Sequence, residues 1–336
     1  MKMNGTITDV PGIKVGHAQD LEAVTGCTVV ICEKGGVAGV DQRGGAPGTR
    51  ETDAIRPLHL VNKIQAILLA GGSAFGLDAA TGVMKYLEEK GLGFDTGVAR
   101  VPVVPAAILF DLAIGKASVR PDAYMGYQAC LNASERPVPQ GCVGAGTGAT
   151  AGNALGPKQS TKSGIGSASL EIGGGVVIGA LIAVNPFGDV YDPETGKIIA
   201  GTRSIHKGLI NMGDEPIFAN TKSFLKTTIG KTVVSFASSH NTVIGVVATN
   251  ARLDREETNF LAQMAQDGLP LAIRPAHTLF DGDTLFAIST GIAHVDVNII
   301  GTFAVEVVSR AIVNAVQNAI TLAGIPSSHD LLNTIV

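Results

Sequence analysis

The 336-residue chain contains no tryptophan, and only 4% of it is aromatic; with its many glycines it still lacks the period of collagen and the polarity of a disordered chain. Charge is also sparse, at 16% of residues with a net value of −4, and no Lys/Arg cluster stands out. That leaves no electrostatic footprint for nucleic acid. The only cysteines are Cys27, Cys32, Cys130 and Cys142, with no CxxC pair and no histidine at zinc-ligand spacing. This excludes a disulfide scaffold and a zinc finger, and the expectation is buried free thiols in a reducing cytoplasm. The longest apolar run, Gly173 to Val184, is too short and glycine-rich to cross a bilayer. The opening Met1 to Thr6 lacks the apolar core of a signal peptide. No membrane, metal or cofactor is therefore expected.

Hydrophobic residues make up 45% of the chain and glycine contributes 43 positions, which implies a large core, tight turns and closely packed backbones. Strand patterns fall at Ile13 to Val15, Gly26 to Cys32, Val37 to Asp41, Ile64 to Ala70, Ser167 to Glu171 and Val176 to Asn185, and after Thr242. Helical patterns fall at about Thr52 to Asn62, from the turn Gly71 to Asp78 on to about Lys90, and at Ala106 to Ile114, Asp122 to Ala133, Asp254 to Asp267 and Ile300 to Ala323. The loop Asp41 to Arg50 is too rich in Gly and Pro for regular structure, and the Gly/Ala/Thr stretch Val143 to Asn153 reads as a loop pressed against other backbone. Strands and helices alternate without the period of a barrel or a doubly wound sheet. The expectation is one α/β domain, residues 1–336, with a mixed sheet between helix layers.

The stretch His240-Asn241-Thr242-Val243-Ile244 turns a polar corner into a β-branched strand, with threonine at the junction. An ordinary strand start explains it. So does a chain that cuts itself before Thr242, because the freed α-amine, with a pKa near ~8, can serve as base for its own hydroxyl. His240 could assist that cut or simply form the turn. Asp281-Gly282-Asp283 reads either as a turn or as two carboxylates supporting the nucleophile. Lys162 is a rim lysine or a stabiliser of negative charge, and Asn185 a turn former before Pro186 or an oxyanion donor. Gly144 to Gly152 resembles a dinucleotide loop weakly, since the acidic residue expected about 20 positions on is missing. Gly71-Gly72-Ser73 before a helix lacks the Lys-Ser/Thr of a phosphate loop, so both glycine clusters read as structural or oxyanion-lining.

Taken in order, several motifs resemble one family. They are Asp9 to His17, Gly71-Gly72-Ser73-Ala74-Phe75-Gly76-Leu77-Asp78, Gly144 to Ala149, Lys162-Ser163-Gly164-Ile165-Gly166, Asn241-Thr242, Ala248-Thr249-Asn250-Ala251 and Asp281-Gly282-Asp283-Thr284. The chain resembles the L-aminopeptidase/D-esterase-amidase family, which includes β-aminopeptidases and the nylon-oligomer hydrolase. The resemblance implies an αββα sandwich like that of N-terminal-nucleophile hydrolases, and self-cleavage into fragments 1–241 and 242–336. It implies Thr242 as nucleophile, Asp281 and Asp283 as its supporting pair, Asn185 as oxyanion donor, Lys162 as active-site lysine, and Tyr127 (with Tyr124 beside it) as the substrate-contacting tyrosine. It further implies a small peptide or amino-acid amide as substrate and a homo-oligomer, a tetramer of processed protomers. The competing readings are an acyltransferase similar to ornithine acetyltransferase, a nucleotide-binding protein, and an uncleaved metabolite-binding protein.

Overall fold

A computed structural model describes residues 3–207, 210–212, 216–228, 230–232 and 241–333. The strands that build the site are β1 Lys14–Asp20, β2 Thr25–Gln42, β3 Thr49–Arg50, β4 Ile64–Ala70, β5 Ala106–Ile108, β6 Thr150–Ala151, β7 Thr161–Lys162, β8 Ile165–Glu171, β9 Val177–Asn185, β10 Thr242–Ala251 and β11 Thr284–Ala293. The helices that cover them are α1 Ala79–Glu89, α2 Ala123–Leu131, α3 Arg255–Ala265, α4 Gly268–Ala272 and α5 Val297–Gln317.

Side-chain alternation along the strands sorts the apolar residues into layers. On β10, Val243 and Val247 face one core, while Ile244, Val246 and Ala248 face another. Ile182 and Val184 of β9 and Leu285 of β11 join the first core, against α3, α4 and α5. Leu181, Ala183 and Phe286 join the second, where they meet Val30 of β2 and Ile67 and Leu69 of β4. The opposite faces of β2 and β4, with Val29, Ile31 and Leu68, pack on α1 and α2. Three cores thus separate four layers, helix–sheet–sheet–helix, which is the expected αββα sandwich.

The long strand β2 belongs to both sheets. Its first half pairs with β1 and β4, and its second half, Val37 to Gln42, pairs antiparallel with β11. The register against β4 shifts between Ile31 and Gly36, which explains why the sequence reads as two strands. In the other sheet β8, β9 and β10 run antiparallel in turn, and β10 lies parallel to β11. Asn185, Thr242 and Thr284 therefore end or begin their strands at one edge, with Gln42 opposite Thr284.

Two expected helices do not form. Ala106–Ile108 is a strand lying parallel to β4, because its small, fully buried side chains fit a sheet covered on both faces. The expected helix at Thr52 to Asn62 shrinks to a single 3-10 turn, Asp53–Ile55. Pro57 drives Arg56 into extended backbone, and Leu58 follows at φ +70°. The expected helix at Asp254 to Asp267 does form, and Asp254 and Glu257 close a capping box at its start. Helix α5 is long and apolar enough to cross a membrane, yet it lies along β8 and β9 with Ala304, Val308 and Ile312 in the core.

Candidate active site

The register of β9 against β10 sets Asn185 directly opposite Thr242. Both side chains point into the space between the sheets, following the alternation of Ala183 and Ile244. Opposed residues on antiparallel strands have Cβ atoms about 4.5–5.5 Å apart, so the amide and the hydroxyl are neighbours. Asn185, Asn241, Thr242, Asp281, Asp283 and Lys162 are each no more than 2% exposed.

The peptide bond between Asn241 and Thr242 is gripped from the Asp-Gly-Asp segment. Asn241 bridges to Asp281 in parallel sense: its N–H donates to the Phe280 carbonyl at 2.9 Å, and its carbonyl accepts the Gly282 N–H at 2.9 Å. The Thr242 hydroxyl donates to that same Asn241 carbonyl. A Cβ on Gly282 would lie 2.2 Å from the Ala46 carbonyl oxygen, so only glycine brings its N–H this close. Residues 43–46 press the segment from outside, where the N–H groups of Arg43 and Ala46 donate to the carbonyls of Asp283 and Asp281. This is the role the Gly/Pro-rich loop plays in the fold.

The two carboxylates are held differently. Asp283 accepts the Val243 N–H at 2.8 Å on Oδ1, and on Oδ2 it accepts both the backbone N–H (3.2 Å) and ring Nδ1 (2.8 Å) of His277. Asp281 accepts the Phe187 N–H at 3.1 Å, the Thr278 N–H at 2.9 Å and the Thr278 hydroxyl at 2.6 Å. Burial, reinforced by the neighbouring Asp283 charge, raises the Asp281 pKa to about 6 despite these donors.

Asn185 is oriented on both sides. Its Oδ1 accepts the Thr150 N–H at 2.9 Å, and its amide donates to the Phe110 carbonyl at 3.1 Å. An Asn amide has two hydrogens, so the second is available to an oxyanion. Lys162 is fully buried and pairs with Thr150 across β6 and β7. Its ammonium donates to the carbonyls of Ala149 and Ser163 at 2.7 Å and of Gly146 at 3.4 Å, and burial lowers its pKa. It thus stands one residue behind Asn185, and among the described residues no hydrogen bond joins it to Thr242.

The glycine loop 144–152 is pressed against neighbouring backbone and side chains. A Cβ at Gly144 would lie 2.2 Å from the Thr28 hydroxyl oxygen, and one at Gly148 would lie 2.5 Å from the Val24 carbonyl oxygen. The turn Gly71-Gly72 is fixed by Asp111, whose carboxylate accepts the Gly72 N–H and the Thr25 hydroxyl, both at 2.7 Å.

Tyr127 is not brought to this group. It lies on α2, where its hydroxyl donates to Glu89 at 2.7 Å and its ring meets Tyr86 edge-on. Tyr124 is exposed on the same helix. No described hydrogen bond or ring contact joins either tyrosine to Thr242. His240 lies outside the described residues. Sequence reasoning missed His277, Thr150 and the Gly282 N–H; Thr278, three residues before Asp281, carries the only local signal, that of a side-chain-capped turn.

Comparison with known proteins identifies the family. The model of peptidase family S58 matches residues 5–329. An uncharacterized aminopeptidase of Mycobacterium bovis is 41% identical, with 97% of each chain covered. A 6-aminohexanoate-oligomer endohydrolase of Agromyces sp. is 33% identical over 84% of this chain and 74% of its own. Among solved structures, a β-aminopeptidase of Burkholderia sp. superposes with a TM-score of 0.68 at 21% identity, covering 99% of this chain and 94% of that one. The L-aminopeptidase D-Ala-esterase/amidase of Ochrobactrum anthropi, described as a variant of the N-terminal-nucleophile hydrolase fold, gives 0.71 at 19% identity, with 99% and 93% covered. These two share the fold. The chain belongs to peptidase family S58 and is an amide hydrolase of the aminopeptidase/amidase kind.

Proposed function

We propose that the chain cuts itself between Asn241 and Thr242 and then uses the freed Thr242 as an N-terminal nucleophile on the amide bonds of short peptides or amino-acid amides. The observation that carries this reading is the Thr242 hydroxyl resting on the Asn241 carbonyl while the Gly282 N–H donates to the same oxygen. A hydrogen bond at that oxygen supports the charge that develops when the carbonyl carbon is attacked.

In the self-cleavage step Thr242 Oγ forms a bond to the Asn241 carbonyl carbon. The C–N bond breaks, and the hydroxyl proton ends on the departing Thr242 nitrogen. Water then hydrolyses the resulting ester, which frees the Asn241 carboxylate and restores the hydroxyl. The new α-amine is the base for turnover: it takes the Oγ proton as Oγ attacks a substrate amide and returns it to the leaving amine. The free hydrogen of the Asn185 amide supports the oxyanion, and the acyl-threonine ester is cleared by water. Lys162 secures the 146–150 loop that orients Asn185. Asp283 holds the peptide after Thr242 through the Val243 N–H.

Thr242→Ala tests the reading. It should leave a single full-length chain and no amine release from aminoacyl-anilides, whereas Thr242→Ser should retain both reactions. Normal two-fragment maturation in Thr242→Ala would sink the assignment.

A further inference from the structure

His277 has an unusual posture. Its backbone is left-handed, at φ +58°, a conformation that costs a non-glycine residue free energy and persists only where surrounding contacts impose it. Those contacts are specific. The His277 N–H and ring Nδ1 converge on one oxygen, Asp283 Oδ2, at 3.2 and 2.8 Å. The next residue, Thr278, closes in the same manner on Asp281 Oδ2. Two consecutive residues thus bracket the two carboxylates separately. Both Asp283 oxygens already accept backbone N–H groups, so Asp283 is the acceptor of this pair and Nδ1 the donor.

With Oδ2 saturated, Asp283 Oδ1 is committed to the Val243 N–H at 2.8 Å. That contact gains weight after cleavage. Once the Asn241–Thr242 bond is gone, no chain upstream restrains residue 242. Its orientation then depends on the strand pairing with Asn185 and on the Asp283 grip one residue later.

We infer that His277 is a positioning residue for the Thr242 nucleophile, acting through its Nδ1–H bond to Asp283. The inference rests on the threonine-nucleophile reading above, and it deepens that reading by assigning the bracket that sets the geometry. His277 touches Asp283 rather than the reacting atoms, so its loss lowers kcat and leaves KM in place.

Three substitutions separate the bond from the backbone posture. Asn at 277 tolerates the left-handed region and places an amide nitrogen where Nδ1 lies. Gly keeps the posture and removes the donor. Gln moves the donor one bond further out. With an aminoacyl-4-nitroanilide as probe, His277→Gly and His277→Gln should process more slowly and lose roughly 10- to 100-fold in kcat at unchanged KM, the scale expected for a lost bond to a buried charge. His277→Asn should recover most of that loss. Wild-type kcat in His277→Gly, equal rescue by Gln and Asn, or a loss confined to KM would each overturn the inference. If the Gly and Gln chains do not fold, His277→Asn decides alone: kcat near wild type supports the role, and a loss above about tenfold refutes it. Thr242→Ala run alongside keeps the two readings apart. Activity in that variant defeats the nucleophile, whereas an inert Thr242→Ala beside a fully active His277→Gly defeats only the role of His277.

Discussion

Replacing Asp281 with asparagine probes how two buried carboxylates are tolerated side by side. Burial and the Asp283 charge raise the Asp281 pKa from 3.8 to about 6. The native state therefore keeps a proton that the unfolded chain has already released across that interval. Stability falls as pH rises from about 4 to about 6 and is flat beyond, a total loss of about 3 kcal/mol from this group. Asparagine cannot ionise and escapes that loss, but it has one acceptor where three donors converge. If its oxygen serves Thr278, its NH2 group faces the Phe187 N–H. An unsatisfied buried donor costs about 1–3 kcal/mol at any pH. Asp281→Asn should thus be less stable than wild type near pH 4.5, and its deficit should shrink by about 2 kcal/mol by pH 8. Urea denaturation followed by circular dichroism reads this, since a chain with no Trp gives no tryptophan fluorescence. A deficit equal at the two pH values would refute the raised Asp281 pKa and the charge crowding behind it.

Asn185→Ala should mature but lose about 10²- to 10³-fold in kcat for anilide hydrolysis, the usual effect of one oxyanion donor; a loss under threefold would remove Asn185 from that role. Gly282→Ala forces a methyl group toward the Ala46 carbonyl and withdraws the N–H from Asn241, so the full-length chain should accumulate on a denaturing gel over a time course. Maturation at the wild-type rate would contradict that. Lys162→Met leaves three buried carbonyls without their ammonium and should lower stability by several kcal/mol in urea titrations, at about 1–3 kcal/mol for each unsatisfied group. Unchanged unfolding would show that the carbonyls find other partners.

What the sequence reveals of this molecule follows from how local each cause is. The strands of the two central sheets are legible because Val, Ile and Leu alternate or run continuously in them, as in Ile64–Ala70, whose bounds match the expectation. The segment at 106–108 reads as helix because Ala-Ala-Ile-Leu carries no β-branched excess, and only its parallel pairing with β4 makes it a strand. The site shows the same division. Thr242, Asn185 and the Asp-Gly-Asp pair stand at strand ends, where junction chemistry is written in adjacent residues. His277 and Thr150 act through contacts made by folding, across register and loop geometry that no short window contains. Tyr127, which the resemblance implies as the substrate-contacting tyrosine, instead lies where Gly82 and Gly126 let α1 and α2 approach closely, and its hydroxyl goes to Glu89.

The most direct test of the central claim is N-terminal sequencing, with intact mass, of the purified protein. The threonine-nucleophile account predicts two fragments, the smaller beginning Thr-Val-Ile-Gly-Val, the sequence from Thr242 onward. A fully active enzyme that remains one chain, or whose smaller fragment begins at any other residue, would contradict it.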